Sequence, residues 1–228
     1  MKFFLAITLC FSLAFSDTFK IYTEELPPFN FLTNGQVRGS STKLLMDLME
    51  KSGHSITPES IHLVSWARGY HEALYTKNTI LYSMARTAQR DTLFKWVGPI
   101  GKINLGLVAK KNKFMVHQNA EYLQKSTIAV MHNSAAEEIL IGLGLNIEAL
   151  ERFTNINSQI KKLQENRVDA IASGVEGIYF VLKEKGLNPE DYETVYMLQE
   201  VDLYFAFHKD TDDAVIAQLN QTLQSIQK

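Results

Sequence analysis

Ser83-Met84-Ala85-Arg86-Thr87-Ala88-Gln89-Arg90-Asp91, followed by Phe94-Lys95-Trp96-Val97-Gly98-Pro99-Ile100, is the stretch on which the reading of the fold turns. Thr79–Ser83, which feeds it, is an apolar run of the buried-strand type, and Trp66–Tyr75 before that is helix-like. The alternation continues toward the N-terminus. Phe19–Thr23 and Ser60–Val64 read as strands, and Ser41 to Lys51 carries Leu44, Leu45, Leu48 and Met49 at helical spacing, with Gly53 as a stop. Toward the C-terminus, Ile103–Ala109, Thr127–Met131, Glu151–Phe153, Val168–Ala172, Tyr192–Met197 and Leu203–His208 read as strands. Helices are expected at Ser134–Leu143, from Asn155 through Gln164, at Gly174–Lys185 and at Asp212–Gln227, with Ser134 and Asn155 as caps. Such alternation implies parallel sheets covered by helices. One continuous sheet would satisfy it. The turn around Lys110 and the apolar strand Leu203–Phe207 suggest instead two crossings between two lobes. There is no internal repeat and no low-complexity linker.

The first sixteen residues are of a different kind. Lys2 precedes an apolar run from Phe3 to Phe15, and Ala14 and Ser16 offer small residues before a cut ahead of Asp17. That is the layout of a cleavable secretory signal. The run is shorter than the roughly 20 apolar residues of a membrane span. Cys10 follows Leu9 rather than a small residue, which argues against lipid attachment. Cleavage would remove the single cysteine, so the exported chain would rely on packing rather than a disulfide, and its length allows one large domain or two small ones. A periplasmic location follows as the expectation.

The composition also narrows the partners. The formal net charge is −2, and the nearest basic cluster, Lys110, Lys111 and Lys113, is interrupted by Asn112. Nucleic-acid binding needs a concentrated basic face, so none is expected. There is no Gly-rich phosphate loop, zinc helix or nucleophile elbow. The six histidines are scattered without metal-ligand spacing. No cofactor or metal is expected.

Four stretches together resemble one family. They are Tyr22-Thr23-Glu24-Glu25-Leu26-Pro27-Pro28-Phe29-Asn30-Phe31; Val64-Ser65-Trp66-Ala67-Arg68-Gly69-Tyr70; the opening stretch around Arg90; and Asn166-Arg167-Val168-Asp169-Ala170-Ile171. Their order and spacing are similar to those of the family 3 extracellular solute-binding proteins, which serve amino-acid uptake transporters. The resemblance implies an α/β type II periplasmic-binding-protein fold, two α/β lobes joined by a two-strand hinge with a ligand cleft between them. It places lobe 1 at residues 17–107 plus 201–228 and lobe 2 at 108–200, after a signal peptide at 1–16. It implies no catalysis, a small-molecule ligand, a membrane ABC permease or a sensor as partner, and a monomer.

The implied site residues follow motif position. Arg90 matches the arginine that forks onto a ligand carboxylate, a role that suits two parallel guanidinium donors. The plainer reading pairs Arg90 with Asp91 or Glu72 at the surface. Ser83 stands at the hydrogen-bonding position of the strand end, and Ala85 replaces a hydroxyl common there. Asn133 and Ser134 match a turn whose donors, with the helix N-terminus, meet the carboxylate; Ser134 also reads simply as a cap. Gly174 stands where relatives place an acidic partner for the ligand ammonium, which leaves Glu176, out of register, and Glu24 as sources of negative charge. Trp66, Phe29 and Tyr22 offer an aromatic wall, or simply core, and Arg68 shares the strand-to-helix turn with Trp66. Asp169 is read as ordering a turn, and Trp96 as a buttress.

Three functions compete at this point. The first is a protein that captures a small polar, carboxylate-bearing metabolite by hinge closure for an ABC-type transporter. The second is a periplasmic enzyme on the same scaffold, like the cyclohexadienyl dehydratases, with Glu176 as its acid or base. The third is a stand-alone sensory binding domain.

Overall fold

The computed structural model describes residues 19–111 and 120–228. The expected signal segment and Lys113 lie outside these residues. Ten strands and seven α-helices are described: β1 (Lys20–Thr23), β2 (Phe31–Thr33), β3 (Gln36–Arg38), α1 (Ser40–Lys51), β4 (Ile61–Leu63), α2 (Trp66–Tyr75), β5 (Thr79–Ala85), β6 (Phe94–Lys110), α3 (Ala120–Lys125), β7 (Ile128–Met131), α4 (Ala135–Gly142), β8 (Leu150–Phe153), α5 (Ile156–Gln164), β9 (Ala170–Gly174), α6 (Val175–Glu184), β10 (Tyr192–His208) and α7 (Asp213–Ile226).

Eight of the strands run in the order β4-β1-β5-β10-β6-β9-β7-β8. Two lobes share this ladder because β6 and β10, each 17 residues long, pair antiparallel from Phe94–His208 to Lys110–Tyr192. In lobe 1, β1 is parallel to β4 and β5, and β5 pairs with β10 over Leu203–Phe207. In lobe 2, β7 is parallel to β8 and β9, and β9 pairs with β6 over Leu105–Ala109. Both anticipated arrangements therefore meet: one hydrogen-bonded sheet, and two lobes joined by a two-strand ribbon.

The expected break between Met197 and Leu203 is absent. Gln199, Glu200 and Val201 continue the ladder opposite Leu105, Asn104 and Ile103. Gln199 and Glu200 read as a connection because they are polar and are in fact part of the ribbon crossing between lobes, where both are exposed while Val201 is buried. The β2–β3 hairpin was also not foreseen. Its turn is Asn34-Gly35, both with positive φ (51° and 77°), the backbone that a two-residue hairpin loop requires.

Each lobe packs helices on both sheet faces. In lobe 1, Leu45, Leu48 and Met49 of α1 meet Ile80, Phe205 and Phe207 of the sheet. In lobe 2, Leu140 of α4 packs with Ile128 and Val130, while Ile160 and Ile178 cover the opposite face beside Ile171. Leu45 is fully buried in the lobe 1 core. Leu45→Ala is expected to cost about 2–5 kcal/mol, as lost transfer energy plus a cavity, measured by urea denaturation.

Candidate functional site

The parallel strands of both lobes direct their C-terminal ends toward the cleft, the place where α/β sheets build sites. A cavity lies there. Glu24, Glu25, Leu26 and Pro27 reach it from the end of β1, Trp66 from the start of α2, and Ser83, Ala85 and Arg90 from β5 and the loop after it. Met131, Ser134 and Ala135 close it from the end of β7 and the start of α4, and Ser173 and Gly174 from the end of β9. The ribbon residues Ile103, Leu105 and Leu203 form an apolar floor.

Local structure fixes these groups. Asn30 is fully buried, and its Nδ2 donates to the Glu24 carbonyl at 2.6 Å. Its backbone oxygen accepts from Leu26 at 2.7 Å, so the Pro27-Pro28 loop is folded over the cavity. Ser83 is the extra residue of a β-bulge: Tyr82 and Met84 face consecutive residues of β10, and Ser83 has φ of 61°. A bulge turns a side chain away from the regular alternation, and a positive φ on a non-glycine residue is a costly backbone. Ser83 lines the cavity, and its Oγ is buried and has no hydrogen-bond partner among the described residues.

Arg90 is in the cavity wall but already engaged. It is 1 % exposed. Its Nε and Nη2 donate to Glu138 Oε1 at 2.8 and 2.6 Å, Nη2 also donates to the Asn133 carbonyl at 3.0 Å, and Nη1 to the Ala85 carbonyl at 3.3 Å. The guanidinium carbon lies 5.1 Å from the Trp66 ring centre and 5.4 Å from that of Tyr70. The fork expected to meet a ligand carboxylate is thus held by a carboxylate of the protein itself, from the opposite lobe. The surface pairing with Asp91 is absent as well, since Asp91 binds Arg86 at 2.6 Å.

The same few residues fasten the lobes. Thr87 Oγ1 donates to Glu138 Oε2 at 3.0 Å, and Trp66 Nε1 donates to the Asn133 carbonyl at 2.7 Å. On the other side of the cleft, the rings of Phe31 and Phe180 are 5.3 Å apart. A Cβ on Gly177 would lie 3.0 Å from the Pro27 carbonyl. Gly177→Leu is therefore expected to wedge α6 away from the Pro27 loop, leaving each lobe folded, because leucine is a better helix residue than glycine. Small-angle scattering should report a larger radius of gyration with little change in melting temperature.

The anticipated residues divide between cavity and surroundings. Glu24, Trp66, Ser83, Arg90 and Ser134 line the cavity. Ser134 also caps α4, its Oγ accepting from Glu137 N at 3.2 Å, so both readings of that serine hold. Four expectations are corrected. Phe29 packs behind the floor with Ile103 and Leu203 and does not reach the cavity. Asn133 contributes only its carbonyl, to Trp66 and Arg90, and its N–H is taken by Glu137 Oε2 at 2.6 Å. Arg68 is exposed on the outer side of α2, beside a groove lined by Tyr22 and His62. Glu176 is exposed and accepts from Asn104 Nδ2 at 2.6 Å; the position after the first residue of α6 turns it out of the cavity. Tyr22 and Trp96 are core, and Asp169 orders a turn by accepting from Thr127 N at 2.8 Å.

Gly174 now has a steric reason. A Cβ there would fall 2.4 Å from Ile103 Cδ1, so the isoleucine fills the space an acidic side chain would need. The acidic group of the cavity comes from the other lobe. Burial in the cleft pushes the Glu24 carboxyl up to about 8, and the Arg90 guanidinium pulls it only part of the way back. Glu138, Met131 and Ser173 were missed by the sequence reading. Glu138 meets Arg90 across 48 residues of chain, which no local pattern signals.

No protein-family model matches the chain, and no curated protein matches it in sequence. Solved structures do. An ancestral arginine-binding protein bound to arginine superposes with a TM-score of 0.79 at 18% identity, over 92% of this chain and 92% of that one. The arginine-binding protein of T. maritima gives 0.76 at 18%, over 91% and 90%. The arginine-, lysine-, histidine-binding protein ArtJ of Geobacillus stearothermophilus gives 0.74 at 16%, over 92% and 89%. At these identities the likeness establishes the two-lobed periplasmic-binding fold.

Proposed function

We propose that this chain is an exported solute-binding protein of the family 3 type, which captures a small polar metabolite between its lobes and passes it to an ABC-type membrane transporter. The observation that carries the reading is Ser83. A strained, bulged serine in the wall of an interlobe cavity, its buried hydroxyl without a hydrogen-bond partner among the described residues, is a group held ready for something that binds there. The structural neighbours that share the fold are amino-acid-binding proteins, which supports the same role. In this reading the lobes divide near residues 107 and 201, residues 1–16 direct export to the periplasm, and the protein works as a monomer. Among the described residues no helix is long and apolar enough to cross a membrane.

The enzymatic alternative rested on Glu176, which faces solvent and binds Asn104. Incubation with prephenate or arogenate is expected to give no product. Solute capture is tested by thermal melting against a panel of amino acids, small organic acids, amines and short peptides. At least one is expected to raise the melting temperature; a folded protein indifferent to the whole panel would remove the proposal.

A further inference from the structure

We infer that the solute is a small organic cation with an apolar body, an amine that needs no carboxylate, held at Glu24 and Ser83; this rests on the solute-binding reading above. Charge in the cavity wall is the first ground. Among the described residues, Glu24, Glu25 and Arg90 are the charged side chains lining it. Arg90 has four of its N–H contacts committed to Glu138, Asn133 and Ala85, with aromatic rings against its planar surface. An anion entering the cavity would have to displace a carboxylate oxygen that the protein supplies, Glu138 Oε1, which accepts from two Arg90 nitrogens at 2.6 and 2.8 Å.

The α4 N-terminus does not restore the balance. Its capping serine already takes the Glu137 N–H, and Glu137 and Glu138 both stand in its first turn, where their charge offsets the helix dipole. Glu24 is the opposite case. Among the described residues no hydrogen bond or ion pair engages its carboxylate, and it lies partly buried beside the cavity. A carboxyl removed from water without a partner ionises reluctantly, and an ammonium group docked beside it supplies the partner that restores the carboxylate, with release of the proton. Ser83 is 4 % exposed, and its Oγ, without a hydrogen-bond partner among the described residues, supplies an acceptor for an ammonium N–H.

The remaining walls set the rest of the ligand. Ile103, Leu105, Met131, Ile156, Val181 and Leu203 are apolar and line the same space. They suit an aliphatic chain and offer nothing to a second charged end.

Matched pairs that differ only by a carboxylate decide this. The wild-type chain is titrated calorimetrically with isoamylamine and leucine, with isobutylamine and valine, and with 4-methylpentanoate, which keeps the acid and lacks the amine. Each amine is expected to bind at least tenfold more tightly than its amino acid, with no binding of 4-methylpentanoate. Glu24→Gln is expected to weaken the amines at least tenfold, and Glu138→Gln to narrow the gap by freeing Arg90. Leucine or valine binding as tightly as its amine, or amine binding that ignores Glu24→Gln, overturns the inference and leaves solute capture standing. If neither amine binds, the inference falls, and the wider melting panel decides whether solute capture falls with it.

Discussion

Arg90→Met is expected to destabilise the protein by about 3–5 kcal/mol, the usual cost of removing one partner of a buried ion pair and stranding the other. Arg90 is almost wholly buried and Glu138 largely so, and two guanidinium nitrogens donate to the one oxygen, Glu138 Oε1. Without the guanidinium, Glu138 keeps only the Thr87 hydroxyl, and the Asn133 carbonyl keeps only the Trp66 indole. The double variant Arg90→Met/Glu138→Met removes both charges and should recover most of the loss, since well-packed apolar groups often replace a buried pair at little cost. A urea double-mutant cycle measures the coupling. A single variant that loses less than about 1 kcal/mol would mean that water reaches the pair and screens it. Because Arg90 and Glu138 belong to different lobes, the same variant should also loosen their closure.

Glu24→Gln is the second large effect, and it has the opposite sign. The carboxyl rises from 4.5 to about 8 on folding because burial disfavours its charge, with Arg90 lowering it in part and Glu25 sharing the cavity wall. Its stabilising contribution is whole below the unfolded value. As pH rises from 4.5 toward 8 the unfolded chain ionises while the folded carboxyl resists, so stability is lost across that window. Glutamine carries no such dependence. The variant should therefore melt with the wild type at about pH 4, gain progressively toward pH 8, and hold a constant advantage above it, on the order of a few kcal/mol. Parallel melting curves across this window would place Glu24 in water in the folded protein.

Much of the scaffold was legible because its helices are amphipathic and their ends are marked. Trp66–Tyr75 forms as read, and the last helix begins behind Asp212, whose Oδ1 accepts from Ala214 N at 2.8 Å. Long-range geometry was the part the chain hides. Gln199 and Glu200 look like a loop when only their polarity is considered, yet they pair with β6 because the ribbon between lobes is exposed. Arg90 was recognisable as a cleft arginine, but its function depends on Glu138, brought up by the docking of a second lobe. Gly174 read as a missing charge and is a packing requirement of Ile103. Glu176 shows the converse case: it stands two positions beyond Gly174, and since each helical step rotates a side chain by about 100° it faces solvent rather than the cleft.

The central claim is that the space between the lobes is a solute site, and the position of a bound solute tests it most directly. A crystal structure with the first compound that stabilises the protein should place it between Glu24, Ser83, Met131 and Ser134, over the floor of Ile103, Leu105 and Leu203. Density for that compound on the outer surface, with the cavity bypassed, would contradict the account.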